Sequence, residues 1–511
     1  MEFLTSLLLV LILGVLPWLF HGLRTNPWQK RSGKLPPGPR RFPIIGNALQ
    51  IGQSPHRSLA KLSNIYGPLM SLKLGTINTV VVSSPEIARE VLQKHGQVFS
   101  GRTIITAVEV HDHHRMSMAY IPPGNDWRKM RKICSEKMFL NHRLDATQTL
   151  RREKLQKLHG YVLECSRARR SVNVSNAACT TFLNIMSAMM FSVDCTSFDS
   201  DGAAGEVKEA IEGVGRILGA PNYADYFPIL KRIDPQGIRK EARVYFGKLL
   251  ETVEGMINQR IESREKGIVN RDDWLEALLD LRQGSEYEMS FNEIKHLLVV
   301  LLVGGSVTTT FTTEWAMAEL LINPSKMKKA KDEIRSIVGE QGQVVQESDI
   351  SRLPYLQAVI KEIFRLHPAG PLLVPRKAEA DVEVNGYMIP KNTQILVNAW
   401  GMGRDPRIWS EPSSFKPERF LLDSNGIDFK GQDSRLIPFG SGRRMCPGMW
   451  LATRMLHTTV AAMINGFDWK LEAGMKPEEK AEIDRFGSSL QKNTPVVPLM
   501  AIPISVHDFQ V

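Results

Sequence analysis

Apolar positions along this chain recur at the helical period far more often than at the period of two. Amphipathic, helix-favouring stretches run over Glu86 to Gln93, Arg151 to Cys165, Arg243 to Glu265 and Met317 to Leu321, with one face of each suited to burial. From Leu297 to Val303 every residue is apolar. A helix apolar all round is buried all round, so a central core helix is predicted there, running on into Gly304-Gly305-Ser306-Val307-Thr308-Thr309-Thr310. Asn323-Pro324 predicts its stop, because the residue before proline avoids the helical conformation. Another helix is predicted over roughly Leu356 to Leu366. Strand signals are few. Val382 to Met388 is split by Asn385-Gly386, a strong hairpin dipeptide; Ile395 to Val397 follows, and Ser71 to Val82 around Gly75 reads as a second hairpin. No linker, repeat or low-complexity tract divides the 511 residues. The expectation is one large, mainly α domain with a small β-rich lobe.

The N-terminus stands apart. Leu4 to Phe20 carries no charge and is apolar except at Thr5 and Ser6. About 20 apolar residues span a bilayer, and a shorter run suffices where its ends snorkel or the bilayer thins. Arg24, Lys30, Arg31 and Lys34 follow, with only Glu2 before, so the positive-inside rule places the body in the cytosol. A cleaved signal peptide fits less well: the first residues are acidic, and Trp18 and Phe20 stand where small residues would flank a cleavage site. Leu35-Pro36-Pro37-Gly38-Pro39 then reads as a stiff extended hinge. The expected division is a membrane anchor (1–23), a basic and proline-rich hinge (24–40) and a body (41–511). Five scattered cysteines, an odd number, form no disulfide framework and suit a reducing compartment. The net charge of +11 comes with no nucleic-acid motif, so no nucleic-acid partner is expected. His111, His113 and His114 lack a companion cysteine and read as a polar loop rather than a metal site.

The strongest chemical signal is Phe439-Gly440-Ser441-Gly442-Arg443-Arg444-Met445-Cys446-Pro447-Gly448. A thiolate that ligates one face of a flat cofactor needs a tight loop that shields the sulfur and supplies donors to it. Gly442 and Gly448 allow such turns, Pro447 stiffens the chain beside the sulfur, and Arg444 can pair with an anionic edge. This stretch resembles the haem-thiolate loop of the cytochrome P450 family. The resemblance implies the P450 fold, haem b (iron protoporphyrin IX) as cofactor, and Cys446 as axial ligand of the iron, with Phe439 and Gly448 as part of the cofactor's bed. Three further segments agree with it. Glu362 and Arg365 form an ExxR pair that, with Arg419 of Pro417-Glu418-Arg419-Phe420, is in the family a buried network holding the cysteine loop. Trp127 and Arg131 match the family's WxxxR, and Arg376 another arginine; the resemblance makes these three contacts to the haem propionates.

Gly304-Gly305-Ser306-Val307-Thr308-Thr309 is similar to the family's oxygen-activating helix. Thr308 then holds the catalytic threonine position, with Gly305 and Ser306 beside it. Two glycines in a helix cost roughly 1 kcal/mol each against alanine. Close approach of a flat ligand would explain them, and so would close helix packing. Val307 departs from the family, which has an acid there, and valine relays no proton; Glu314, two turns on and about 10 Å away, is no replacement. Several segments, among them Gln97 to Arg102, Glu314 to Leu321 and Ala224 to Leu230, look like plant terpenoid hydroxylases of the mint-family branch. The resemblance implies a reductase-dependent monooxygenase of the endoplasmic reticulum, single-pass, acting with O2 on an apolar terpenoid, a diterpene above all. A monoterpenoid hydroxylase, an isomerase or lyase on this fold, or a non-enzymatic haem protein stand as alternatives. Pocket-lining positions fall on Ile104, Val110, Leu301, Gly304, Val307, Leu372, Leu373, Val374, Ser489 and Leu490. In the family's geometry Arg128, Lys129, Arg131, Lys132 and Arg443 lie near the thiolate face, as a basic patch that would steer an NADPH–cytochrome P450 reductase, or else as a solvated basic face attracted to anionic lipid.

Overall fold

The computed structural model describes residues 34–52, 54–198, 203–268, 272–283, 288–339, 344–421, 426–472 and 499–505. The predicted anchor, Ser489 and Leu490 lie outside them. The long helices are α1 (Asn125–Ile133), α2 (Gln148–Arg167), α3 (Val174–Phe191), α4 (Ala203–Gly219), α5 (Ile238–Glu265), α6 (Phe291–Ile322), α7 (Pro324–Val338), α8 (Pro354–Leu366) and α9 (Met449–Ile464). Each predicted helix falls within this set except the first. There Pro85–Arg89 is α-helical and widens into a π turn over Glu90–Lys94.

Helix α6 is the axis of the body. Its start is fixed by a capping box: the Ser290 hydroxyl accepts from Glu293 N–H, and the Glu293 carboxylate accepts from Ser290 N–H, satisfying donors no helical turn can reach. It ends at Asn323, where Pro324 opens α7. Helices α3, α4, α5 and α9 pack around it. α3 and α6 are long and apolar enough to cross a membrane, but both are largely buried inside the body.

The β-rich lobe is a five-stranded sheet in the order β1 (Leu69–Leu74), β2 (Ile77–Val82), β8 (Gln394–Val397), β5 (Arg376–Lys377), β3 (Gly101–Arg102). Its β2–β8 pair is parallel and the others antiparallel. The Asn385-Gly386 hairpin is β6 (Val382–Val384) and β7 (Tyr387–Ile389). A third sheet joins β4 (Val172–Asn173), β10 (Met500–Ser505) and β9 (Phe467–Leu471).

Two expectations change in the folded chain. Pro36 and Pro37 are docked on β1, since the Ser71 hydroxyl donates to Pro36 O at 2.7 Å and Ser71 N–H to Pro37 O at 2.7 Å. The extended run belongs to the body from Pro36 on. The histidine segment is not a polar loop either. Short helical turns at Thr106–Glu109 and His113–Met116 bring His113 into the core, 2 % exposed, with its Nδ1 2.8 Å from His296 Nδ1 on α6. Burial lowers the His113 pKa to about 3 and that of His296 to about 4, so both rings are neutral and one donates to the other. Periodicity could not show this, because the partner is nearly two hundred residues away.

Candidate active site

Cys446 lies deep in the protein mass and yet keeps exposed surface, so its sulfur faces an internal space. The loop around it is pinned by its own backbone: Cys446 N–H donates to Phe439 O at 3.0 Å and Met445 N–H to Gly442 O at 3.0 Å. Burial raises the thiol pKa, while the Gly448 N–H and the Arg131 guanidinium pull it down. Gly442 is required, with φ +68° and a Cβ there lying 2.0 Å from Leu92 O. Gly448 is not required for its backbone, since φ is −88°; the other left-handed residue of the loop is Gly440, at φ +70°.

Above the loop four arginines converge. Arg131 donates to Met445 O at 2.9 Å and Arg376 to Ser441 O at 2.9 Å. Arg444 donates to the carbonyls of Ser100, Met118 and Ile121, and its guanidinium lies 4.6 Å from the Trp127 ring centroid. Arg102 sits opposite Arg376 on the β3–β5 ladder and donates to the carbonyls of Ala119 and Val374. Carbonyls hold these side chains without neutralising them. Burial first, and neighbouring guanidiniums second, lower Arg376 and Arg444 to about 9; burial lowers Arg102 to about 10. Arg376 Nη1 is buried with no hydrogen-bond partner among the described residues. Like charges facing each other on a ladder are destabilising, and a buried guanidinium nitrogen without an acceptor is costlier still. Such a cluster is built for an anion. Sequence reading missed Arg102; its signal was the charge directly paired with Arg376, visible only once the strand register is known.

Glu362 and Arg365, both fully buried, form a two-bond ion pair at 2.7 Å and 2.7 Å, and Arg419 donates to Glu362 Oε1 at 3.0 Å. Arg365 also donates to the carbonyls of Gly403, Pro412 and Ser414. Every acceptor lies within 362–414, so this network clamps α8 to the 403–419 segment and does not itself touch the cysteine loop. The link runs through aromatic rings: Phe364 on α8 meets Phe439 at 5.2 Å and Phe429 at 5.5 Å between centroids.

On α6 the two glycines divide the work. Gly304 and Thr308 are exposed along an otherwise buried stretch, and a Cβ at Gly304 would meet nothing within 4 Å among the described residues. These positions, four apart, open onto space. Gly305 instead admits Met186 of α3, whose sulfur would lie 2.6 Å from a Cβ there. Ser306 is fully buried on the far side of the helix, so neither residue opens onto that space as Thr308 does. Thr308 Oγ1 donates back to Gly304 O at 2.8 Å. Glu314 is buried and accepts from Leu499 N–H at 3.2 Å.

A family model described as cytochrome P450 matches residues 36–497. The chain is a cytochrome P450. Ferruginol synthase of Salvia miltiorrhiza is 53% identical over 477 residues, 93% of this chain and 95% of that protein. Sugiol synthase of the same plant is 52% identical, covering 93% and 95%, and carnosic acid synthase of Salvia pomifera 52%, covering 94% and 96%. Among solved structures a zebra fish cytochrome P450 with abiraterone superposes with a TM-score of 0.68 at 25% identity, covering 83% of this chain and 94% of that one. The P450 family implies a haem, and the residues fit one: a deep thiol open on one side, an unpartnered arginine nitrogen amid buried cations, and a helix face bare of side chain at Gly304.

The positions expected to line a substrate pocket differ in burial. Val110 and Leu301 are buried in the main core. Leu372 packs with the β1–β2 cluster and Leu373, at φ +52°, with the other sheet cluster. Ile104 and Val307 are half-buried, and Val374 is 46% exposed. The basic patch is smaller than its sequence count. Lys129 is paired with Glu293 at 2.8 Å, Lys132 lies 3.8 Å from the Glu136 carboxylate, and Arg131 is committed to the cysteine loop; Arg128, Lys132 and Arg443 are exposed.

Proposed function

We propose that this monooxygenase hydroxylates, or successively oxidises, a diterpene. It works from the endoplasmic reticulum membrane with electrons passed from NADPH by a reductase. Roughly half identity along almost the whole chain to ferruginol, sugiol and carnosic acid synthases, whose names are those of oxidised diterpenoids, is the observation that carries the substrate class. The overall change is one C–H bond, O2, two electrons and two protons giving C–OH and water.

When bound, haem supplies the oxygen chemistry and accepts the electrons. The chain's own residues do the rest. Cys446 would hold the iron through its thiolate, which the Gly448 N–H and Arg131 favour against the opposing effect of burial. Arg376, Arg444, Arg102 and Arg131, with Trp127 beneath Arg444, would receive the haem's carboxylates, and a charge-assisted hydrogen bond would give Arg376 Nη1 its missing acceptor. Gly304 lets a flat apolar substrate lie close to α6. Thr308 Oγ1, on that same open face, holds a water and passes a proton; Val307 beside it holds none. Membrane location is supported by a cluster of exposed apolar side chains. Phe42, Ile44 and Leu49 on one segment and Tyr223, Ile229 and Ile233 on another flank the Gly75-Thr76 turn, where Gly75 N–H donates to Ile45 O and Thr76 N–H to Tyr226 O. Exposed patches of this kind mark membrane or partner contacts. Arg128, Lys132 and Arg443 supply positive surface for an acidic donor.

The test is turnover of a panel of plant diterpenes and monoterpenes by microsomes with reductase and NADPH, read by mass spectrometry. A hydroxylated diterpene formed only with both additions is expected. Turnover confined to monoterpenes, or independent of reductase, overturns the reading.

A further inference from the structure

The valine at the family's acidic position has a steric partner. A Cβ on Gly215 of α4 would lie 2.7 Å from Val307 Cγ1 and 3.2 Å from Cγ2, closer than real Cβ contacts come. The Val307 methyls therefore sit in a notch that exists because residue 215 has no side chain. Two residues earlier Gly213 makes a second notch on α4, into which the Tyr245 ring of α5 fits, its Cε2 2.5 Å from where a Cβ would be. Tyr245 Oη accepts from Arg216 Nη2 at 3.0 Å, so α4 is held on α5 on one side and on α6 on the other. Val307 is half-buried, packed partly on the core and partly at the edge of the open face formed by Gly304 and Thr308. Its size thus sets two things together: how close α4 comes to α6, and how much room stands beside Thr308.

We propose that Val307 and Gly215 are a matched pair that determines which apolar substrates fit beside Thr308, so that residue 307 in this enzyme is a specificity residue and no defective proton relay. The proposal rests on the reading that an apolar polycyclic substrate lies against α6. A longer acidic side chain at 307 would have to turn into the substrate's space, which shrinks the chamber, or push α4 out of the notch, which reshapes it. A smaller one leaves the notch empty and enlarges it. Packed interiors respond to single methyl groups, and one methylene in an apolar pocket is worth about 10-fold or more in discrimination.

The experiment is a spectral titration of the purified, haem-loaded full chain with apolar ligands of graded size, from a monoterpene alcohol to abietane diterpenes, following the absorption change on binding. It is run on wild type, Val307→Ala, Val307→Ile, Val307→Thr, Gly215→Ala and the Gly215→Ala/Val307→Ala double variant, with thermal midpoints recorded alongside. Val307→Ala is expected to shift preference toward larger ligands and Val307→Ile toward smaller ones, each by about 10-fold. Val307→Thr, which keeps the shape, is expected to keep the wild-type order. Gly215→Ala is expected to lower both midpoint and affinity, with Val307→Ala restoring much of each, because residues in contact are non-additive. Strictly additive effects of the two substitutions, or an unchanged size order across the Val307 series, overturn the proposal. Should Gly215→Ala fail to load haem, rescue by the double variant still decides the pairing and the Val307 series still decides the selectivity. A wild type that binds no terpenoid of any size removes the substrate reading instead, and the midpoint cycle continues to report whether the pair is matched.

Discussion

The two faces of the proposed cofactor site, the cysteine loop and α6, are held by different forces. On the cysteine side almost every constraint is polar and fixed by backbone geometry. Gly442 at positive φ, Cys446 N–H on Phe439 O, and Arg131 and Arg376 on loop carbonyls leave little freedom. On the α6 side the constraints are steric: Met186 in the gap at Gly305, Val307 against Gly215, and, among the described residues, nothing against Gly304. Charge and hydrogen-bond geometry admit one arrangement and fail outright when a partner goes. Packing tolerates graded change, with the consequences of a methyl group measured in selectivity. A fold that must always build the same cofactor site, yet accept different substrates, separates the two in this way.

The comparison breaks most readily at the Glu362–Arg365 pair. Glu362→Ala or Arg365→Ala leaves a buried charge uncompensated at about 3–5 kcal/mol, a large share of a typical folding free energy. The expected result is almost no haem-loaded protein, measured as the reduced, CO-bound band per unit of total protein; normal loading would show that the clamp on 403–419 is dispensable. Next, Cys446→His is expected to abolish the red-shifted CO band while haem is retained, because imidazole is a different axial donor; an unchanged band removes Cys446 as ligand.

Arg376→Met sharpens the polar side by splitting in sign. It removes a repulsive buried cation, so haem-free protein should gain roughly 1–2 kcal/mol against urea, the order of one screened like-charge contact. Haem-loaded protein should release haem to an acceptor on the order of tenfold faster, the equivalent of one charge-assisted hydrogen bond. Both quantities falling together would assign Arg376 to packing alone. On the α6 side, Thr308→Ala is expected to lower product per NADPH consumed by up to about 100-fold, the low side of what a positioned proton donor contributes. Unchanged coupling would mean that protons arrive elsewhere.

A further test lies outside both faces, at His113. Its folded pKa, about 3, is below the ordinary value near 6.5, so below pH 6.5 the unfolded chain binds a proton that the folded one refuses. Stability is complete above that pH and is lost as pH falls, by about 1.4 kcal/mol per unit for one proton. His113→Phe should flatten the loss of urea stability between pH 6.5 and 4 by about that slope; an unchanged slope would place the acid sensitivity in other groups.

What the sequence determined by itself is local. The cysteine loop, the ExxR pair, the Asn385-Gly386 hairpin, the all-apolar stretch of α6 and its stop at Asn323-Pro324 are each written within a dozen residues, because turn geometry, helical spacing and proline's missing donor act at that range. The tertiary structure decided where distant pieces meet. It brought Arg102, Arg131, Arg376 and Arg444 around one point, divided Gly304 from Gly305 by facing them to different neighbours, sent the Glu362 network to the cysteine loop through Phe364 and Phe439, and buried His113 on His296. It also packed Leu372 and Leu373, both half-buried, against two different sheet clusters. An apolar or charged residue looks the same in sequence whichever neighbour it meets. Only the packing of α3, α4 and α5 on α6, and the register of β3 on β5, says which side chains share a space and which of them oppose.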